Sequence, residues 1–143
     1  MTEPLRLSFD VASSAEHAFT TWTERASTWW PTSHTVAGAP VEVVFEPSAG
    51  GRIFERAADG READWGRIVA WEPPHRLVYT WHLRQDAADA TEVEIRFAEH
   101  QPGTTTVTIE HRGWERLGAR GPDRRDANGR GWAGLLPHYR AAF

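Results

Sequence analysis

The chain has 143 residues, the usual size of a single domain, and carries a formal net charge of -4 at pH 7. The absence of cysteine excludes disulfides, thiolate nucleophiles and cysteine-ligated zinc or iron–sulfur sites. All 16 basic residues are arginine, and their scatter from Arg6 to Arg140 forms no stripe that would follow a phosphate backbone, so we expect no binding of nucleic acid. No apolar run approaches the roughly 20 residues of a membrane span, and no signal-peptide pattern opens the chain. We therefore predict one cytoplasmic domain over residues 1–143 that does not insert into a membrane.

The N-terminal part of the chain predicts one strand and two short helices. Apolar and polar residues alternate from Leu5 to Val11, which is typical of a half-buried strand. A Ser-x-x-Glu capping box predicts Ser13 as the N-cap of a helix over residues 14–24. A second short helix is predicted over residues 27–30, and Pro31 ends it because the residue before a proline is pushed out of the α region.

The middle of the chain predicts six further strands separated by turns. Alternating apolar residues, rich in β-branched and aromatic types, mark the strands, and Gly, Pro and an Asp-Gly pair mark the turns. The polar segment at residues 85–90 is predicted to be a loop. Short connections between sequential strands favour antiparallel pairing. The predicted strands cover residues 41–46, 52–56, 63–71, 76–83, 92–97 and 104–111.

The last segment predicts a helix with Asp123 as its N-cap. Gly129 and Gly131 each cost about 1 kcal/mol relative to alanine inside a helix. Pro137 removes a backbone donor, so we expect a helix that is held by tertiary packing and kinked near Leu136. One apolar stripe runs along it through Trp132, Leu135, Leu136, Tyr139 and Phe143.

Together these elements predict an α+β fold. About seven strands form a curved antiparallel sheet that wraps around the long C-terminal helix, with two short helices after the first strand. The gap between such a sheet and a bent helix is a natural place for a mostly apolar ligand. We expect that pocket beside the bend, near Trp132 and Leu136.

Eight tryptophans are numerous for a chain of this size and suit an aromatic-walled cavity. They suit an ordinary core equally well, since burying such a side chain contributes roughly 1.5–3 kcal/mol with or without a ligand. The candidate ligand contacts are selected by strand face, by the helix stripe and by the family resemblance described below, and they are Trp30, Phe54, Trp65, Trp81, Phe97, Trp114, Trp132, Leu136 and Tyr139.

His111 is the one candidate for acid–base chemistry that shares strand parity with inward-facing residues. It is predicted either to contact a ligand, with Glu110 as a neighbouring carboxylate, or to be a satisfied core histidine. No histidine pair has metal-binding spacing, and no nucleophile elbow or phosphate loop is present, so no metal or cofactor is expected.

Several short segments, in this order and spacing, resemble the START-related (SRPBCC, Bet v-like) superfamily. Within it the chain is similar to bacterial proteins related to the C-terminal domain of the activator of heat-shock-protein ATPase. The resemblance implies a helix-grip fold and a hydrophobic pocket, but no single activity. The segments are Ala18-Phe19-Thr20-Thr21-Trp22-Thr23, Trp29-Trp30-Pro31, Gly50-Gly51, Gly66-Arg67-Ile68-Val69, Pro73-Pro74-His75-Arg76-Leu77, Thr80-Trp81, Gly103-Thr104, His111-Arg112-Gly113-Trp114 and Gly131-Trp132.

The leading functional prediction is a pocket protein, noncatalytic or weakly catalytic, that binds a small apolar or amphipathic molecule. One alternative is an enzyme of the cyclase, dehydratase or hydrolase type that uses the same pocket. A second, which the resemblance alone suggests, is a chaperone-associated interaction module. The sequence leaves a homodimer open and identifies no protein partner.

Overall fold

The computed structural model describes residues 2–39 and 42–143, and it confirms the predicted α+β fold. Val41, where the second predicted strand begins, lies outside the described residues. Short 3-10 turns lie at Thr32–His34, Ala87–Asp89 and Trp114–Arg120. The main elements are β1 (Leu5–Val11), α1 (Ala15–Trp22), α2 (Ala26–Trp29), β2 (Glu42–Phe45), β3 (Arg52–Arg56), β4 (Glu62–Glu72), β5 (Arg76–Trp81), β6 (Thr91–Gln101), β7 (Thr104–Arg112) and α3 (Gly121–Arg140).

The seven strands form one antiparallel sheet in the order β1-β7-β6-β5-β4-β3-β2. The register places Ile109 of β7 opposite both Leu7 of β1 and Ile95 of β6. Because side chains alternate along each strand, this register collects the apolar residues on one face. Irregularities in the register occur between β3 and β4, β4 and β5, and β6 and β7. The sheet curls around α3 as a half-barrel, and bulges of this kind increase strand bending.

The convex face of the sheet carries several ion pairs. Glu94 on β6 accepts hydrogen bonds from Arg112 and Arg76 on the two neighbouring strands, each at 2.7 Å. Burial alone would raise the pKa of Glu94, but these hydrogen bonds outweigh burial and lower the pKa to about 2. The charge of Glu94 is therefore already matched by arginines from both neighbouring strands.

The concave face packs against α1, α2 and α3. Tyr139 of α3 is fully buried, and its hydroxyl donates to the carbonyl oxygen of Ala18 in α1 at 2.8 Å. Its ring lies 4.8 Å from that of Trp22 and 5.1 Å from that of Trp29. The predicted stripe of α3 thus forms the core, as expected for a helix with weak intrinsic propensity. None of the α-helices among the described residues is long and apolar enough to cross a membrane.

The structure corrects the start of each longer helix. The N-cap of α1 is Ser14, whose hydroxyl accepts from the backbone N–H of His17, while Ser13 is buried and donates to the carbonyl of Ser14. The second helix begins and ends one residue earlier than predicted. The N-cap of α3 is Arg120, which places Asp123 inside the first turn.

Pro137 does not end α3, and the kink near Leu136 stays a prediction. The helix continues through Pro137 to Arg140, because the loss of one backbone hydrogen bond in the last turns does not end it. The backbone breaks at Gly118, just before α3, where φ is 59° and ψ is -131°. A conformation with positive φ of this kind favours glycine.

Candidate functional site

A cavity of about 230 Å³ lies between the sheet and α3, next to residues 124–135 of the helix. The end of β5, the segment that follows it, the 3-10 turn at Thr32–His34 and the first residue of β6 form the rest of its boundary. Its apolar wall consists of Trp30, Trp81, Leu83, Trp132 and Leu135.

Three indole rings dominate this wall. Trp30 and Trp132 are almost fully buried, and Trp81 is half-buried at the end of β5. The rings of Trp30 and Trp81 are 6.0 Å apart. The indole N–H of Trp30 donates to the carbonyl of His34 at 2.9 Å, so this ring is fixed by a hydrogen bond as well as by packing.

A chain of hydrogen bonds lies directly behind the wall. The indole N–H of Trp132 donates to Nδ1 of His111 at 3.0 Å, and Nε2 of His111 lies 2.6 Å from the hydroxyl of Thr91. Since an indole N–H only donates, Nδ1 must accept and Nε2 carries the proton of the neutral ring. The Thr91 hydroxyl then donates to the carbonyl of Trp81 at 3.4 Å. Two of the three indole-bearing residues are thereby linked through one buried imidazole.

His111 itself is fully buried and does not line the cavity. Burial lowers its pKa to about 3, which keeps the ring neutral in ordinary buffers. Glu110 faces the opposite side of the sheet, where it pairs with Arg112 and Arg6. The predicted pair of His111 and Glu110 is therefore wrong, because adjacent residues of a strand point to opposite faces.

The rim of the cavity is polar. Arg84 is the one non-glycine residue with positive φ among the described residues, at 62°. Its Nε donates to the carbonyl of Thr35 at 3.1 Å, and its Nη2 donates to the carbonyls of Thr35 and Ser33 at 2.6 and 3.0 Å. A single arginine thus joins the segment after β5 to the segment after α2.

Two further contacts cross from neighbouring segments to α3. Nη2 of Arg124 donates to Oε1 of Gln85 at 3.0 Å. Nε2 of His34 lies 3.0 Å from the carbonyl oxygen of Gly131, so this nitrogen carries a proton and donates it. His82, Asn128 and Thr91 complete the polar boundary.

A buried carboxylate holds the segment that carries His34. Glu55 on β3 is 1% exposed and accepts from the backbone N–H of Val36 at 2.6 Å, from that of Ala37 at 2.9 Å and from the indole N–H of Trp65 at 2.8 Å. Three donors satisfy the carboxylate, and none of the described residues pairs with it as a cation, which makes Glu55 a positioning residue for this side of the cavity.

Only part of the predicted wall surrounds the cavity. Trp30, Trp81 and Trp132 line it. Leu136 and Tyr139 face the core further along α3, and Trp65 packs behind Trp30 with ring centroids 5.0 Å apart. The cavity lies beside Trp132, one of the two residues named for its position, and beside Leu135 in place of Leu136.

The other predicted wall residues lie elsewhere. Phe97 packs against Phe19 at a ring distance of 5.3 Å, and Trp114 packs against His111 at a ring distance of 4.4 Å without reaching the cavity. Phe54 lies on the convex face, where the guanidinium of Arg52 is 4.1 Å from its ring centroid, because its neighbours Ile53 and Glu55 point inward and successive side chains of a strand alternate. The prediction that Phe54 and Trp114 contact the ligand is therefore wrong, because neither residue lines the cavity.

Sequence reasoning did not identify the polar rim. His34, Arg84 and Arg124 are far apart in the chain and form no motif, so no sequence signal pointed to them. Leu135 did belong to the predicted helix stripe. Among the described residues, no group of three or more His, Asp or Glu side chains has a metal-binding arrangement.

Comparisons with known proteins give one family. The model of the family described as activator of Hsp90 ATPase homolog 1-like protein matches residues 12–136. An anthrahydroquino-γ-pyrone synthase, Txn09, complexed with SUM, is 37% identical with a TM-score of 0.62, and the match covers 85% of this chain and 84% of that one. No curated protein sequence matches the chain.

Two other solved structures are similar. The self-sacrificing resistance protein CalC from Micromonospora echinospora is 26% identical with a TM-score of 0.73, and the match covers 98% of this chain and 93% of CalC. An Hsp90 activator from Plasmodium falciparum is 15% identical with a TM-score of 0.58, over 77% of this chain and 72% of that one. At that identity the likeness shows the fold alone.

Proposed function

We propose a function from the site, because the chain belongs to the family of activator of Hsp90 ATPase homolog 1-like proteins, whose members share a fold but not one activity. The protein binds a small, planar, largely apolar molecule in the cavity between β5 and α3. The observation that carries the proposal is the wall of three indole rings with a polar rim. Such a combination is typical of small-molecule sites, in which apolar walls supply affinity and a few polar groups fix orientation.

The size of the cavity limits the ligand. Its volume of about 230 Å³ falls below the roughly 300–1,000 Å³ of common drug-sized sites. An apolar cavity of about 150 Å³ accommodates one benzene ring. The cavity therefore suits a ligand of one or two rings, or one end of a longer molecule that extends through the open rim.

The relatives support this class of ligand without identifying it. The 37% identical structure is named as a synthase of an anthrahydroquino-γ-pyrone, a fused aromatic product. CalC is named as a resistance protein, so it supports no particular ligand chemistry. The indole rings of the cavity wall offer flat faces on which a planar aromatic ligand stacks.

Filling the cavity from one position of α3 tests the proposal. A Cβ at Gly131 would have no other side chain or neighbouring backbone within 4 Å, so Gly131→Leu adds bulk at the cavity wall. Gly129→Ala is the matched control, because its Cβ meets only Leu5 at 3.7 Å and lies outside the cavity lining. Binding of 2-naphthamide, a neutral two-ring probe, is measured by tryptophan fluorescence and thermal shift.

We expect the wild-type protein and Gly129→Ala to bind the probe equally and to gain thermal stability from it. Gly131→Leu should bind at least tenfold more weakly, a loss of about 1.4 kcal/mol. Equal binding by all three proteins would place the probe outside the cavity. Absence of any binding by the wild type, to this probe and to decanol as an aliphatic comparison, would refute the proposal.

A second candidate function is proton transfer on the bound molecule. It is favoured by the position of two imidazoles, His34 and His82, on the cavity rim and by the 37% identity to a synthase. His111 is unsuited to this role because it is buried behind the wall and neutral. Acceleration of hydrogen–deuterium exchange at the methyl group of acetophenone tests for acid–base catalysis, with His138→Gln as an exposed control on α3.

If this second function holds, His34→Gln or His82→Gln should abolish the acceleration while His138→Gln retains it. Exchange at the uncatalysed rate in the wild-type protein would argue against it, while leaving ligand binding intact. Interaction with a chaperone remains a prediction from the family alone, since no feature of the described surface identifies a partner.

A further inference from the structure

We propose that the ligand is a planar aromatic anion whose ionised oxygen binds at the rim between Arg84 and Arg124 while its rings lie against Trp30, Trp81 and Trp132. This inference rests on the proposed function and adds the charge and orientation of the ligand. It follows from the distribution of charge around the cavity.

The charged groups of the cavity lining all have the same sign. The ionisable lining residues are His34, His82, Arg84 and Arg124, and none of the lining residues among those described is Asp or Glu. The chain as a whole has a net charge of -4, so a boundary without carboxylates differs from the average surface. Such a boundary attracts anions and disfavours cations.

The guanidinium of Arg84 has donors to spare. Its Nε and Nη2 are occupied by the carbonyls of Thr35 and Ser33, whereas Nη1 has no hydrogen-bond partner within the described parts of the chain. Its partners are neutral, and no salt bridge among the described residues includes Arg84. The hydrogen bonds therefore orient the guanidinium while leaving its charge uncompensated, as a preorganised anion contact requires.

Arg124 offers a second contact from the opposite side of the rim. Its one side-chain partner among the described residues is the neutral oxygen of Gln85, so its charge is also unmatched at short range. A carboxylate close enough to interact with Arg124 over a longer distance is Asp89, but Arg120 already holds it at 3.1 Å. Arg84 and Arg124 therefore form a pair of cationic groups that flank the entrance to an aromatic cavity.

The aromatic wall by itself would also suit a cation. Cations bind over the faces of tryptophan rings, and cages of such rings recognise quaternary ammonium groups. The two guanidinium groups at the rim would repel a cationic ligand, and the described lining contains no carboxylate that would offset this repulsion. The charge of the rim thus decides between two ligand classes that the rings alone do not distinguish.

Three probes with the same two rings test the inference. 2-Naphthoate is anionic at neutral pH, 2-naphthamide is neutral and 2-naphthylmethylammonium is cationic. Each is titrated into the wild-type protein, Arg84→Gln, Arg124→Gln and the control Arg130→Gln. Arg130 is exposed on the same helix and does not line the cavity. Circular dichroism and thermal unfolding confirm that each variant is folded.

We expect the wild-type protein to bind naphthoate about tenfold more tightly than naphthamide, as one charge-assisted hydrogen bond would give, and the cation most weakly. Arg124→Gln and Arg84→Gln should each remove most of that preference, so that each variant loses more affinity for naphthoate than for naphthamide. Arg130→Gln should change neither. The preference should also shrink as salt is raised, because the rim is open to solvent.

The outcomes separate this inference from the proposed function. Equal affinity for all three probes, or a preference for the cation, refutes the anion site and leaves the cavity as an aromatic binding site. A preference for naphthoate that survives in both arginine variants also refutes it, since the charge would then be recognised elsewhere. Failure of every probe to bind the wild-type protein overturns the proposed function itself.

Discussion

The two ends of α3 meet the same sheet but produce different interiors. At the closed end, which we define by Phe9, Trp22, Trp29, Tyr139 and Phe143, ring centroids lie 4.8–6.1 Å from that of Tyr139. At the open end, beside residues 124–135, a cavity of about 230 Å³ remains. One helix therefore contributes to a packed core and to a binding site.

The difference comes from what each end receives from the rest of the chain. The closed end is covered by α1 and α2, whose tryptophans fill the space between sheet and helix. The cavity at the open end borders Ala127 and Gly131 of α3, which supply almost no side-chain volume. It also borders the segment that carries His34, which a hydrogen bond to the carbonyl of Gly131 holds against the helix. A protein interior is normally close-packed, so an unfilled region beside a filled one is a feature to be tested as a site.

The largest expected effect compares one tryptophan from each end. Trp22 is fully buried, so Trp22→Ala should destabilise the fold by about 3–5 kcal/mol through the cavity it leaves. Trp81 is half-buried beside existing space, and Trp81→Ala should cost only about 1–2 kcal/mol while weakening probe binding. Urea unfolding and naphthamide titration measure both quantities. Equal losses of stability would mean that the open end is packed like the closed one.

The second prediction concerns pH and the imidazole behind the open end. The pKa of His111 is lowered by burial to about 3, below its value of about 6.5 in the unfolded chain. The unfolded state then binds more protons below pH 6.5, so stability is full above that pH and falls as the pH decreases toward 3. We expect a loss of about 2 kcal/mol between pH 6.5 and pH 5 in urea unfolding.

The control for this pH dependence is His111→Gln. The variant should be less stable at pH 7, because Trp132 and Thr91 lose a well-placed partner, but its stability should vary less between pH 6.5 and pH 5. The same slope in the variant and the wild type would assign the pH dependence to other groups.

The sequence predicted the architecture because local patterns and tertiary packing agree. Alternation along β1, β5, β6 and β7 identifies the inward faces, and the stripe on α3 identifies the side that the sheet grips. Helix boundaries were predicted less well. The choice between Ser13 and Ser14 as N-cap depends on burial of Ser13 under a hydrogen bond from Thr105, a contact 92 residues away that no local pattern contains.

The candidate site was predicted only where it follows from the same patterns. Trp81 and Trp132 were found by strand parity and helical spacing. Phe54 was assigned to the wrong face because Ile53 and Phe54 are adjacent apolar residues, and the local pattern does not show which of the two points inward. Arg84 was missed because its role arises from a backbone φ of 62° and from hydrogen bonds to Thr35, 49 residues away in the chain.

A third, smaller effect concerns the carboxylate that positions one side of the open end. Glu55→Gln replaces one acceptor oxygen with a donor, which faces an N–H group and leaves a buried donor unsatisfied. We expect a loss of about 1–2 kcal/mol and a weaker affinity for naphthamide. Glu62→Gln on the convex face is the control and should change stability less than Glu55→Gln does, because the ion pairs of Glu62 are exposed to solvent. An unchanged probe affinity in Glu55→Gln would show that Glu55 has no positioning role.

The smallest expected effect compares glycines along α3. Gly129→Ala and Gly131→Ala should each stabilise the protein by about 0.5–1 kcal/mol, since alanine has the higher helix propensity and neither Cβ meets an atom closer than 3.7 Å. Gly134→Ala should gain less, because its Cβ would lie 3.2 Å from Cε1 of His34 and the imidazole must move. Urea unfolding of the three variants measures the order. If Gly131→Ala destabilises the protein while Gly129→Ala stabilises it, the open end has no spare space, and the contrast between the two ends of the helix does not hold.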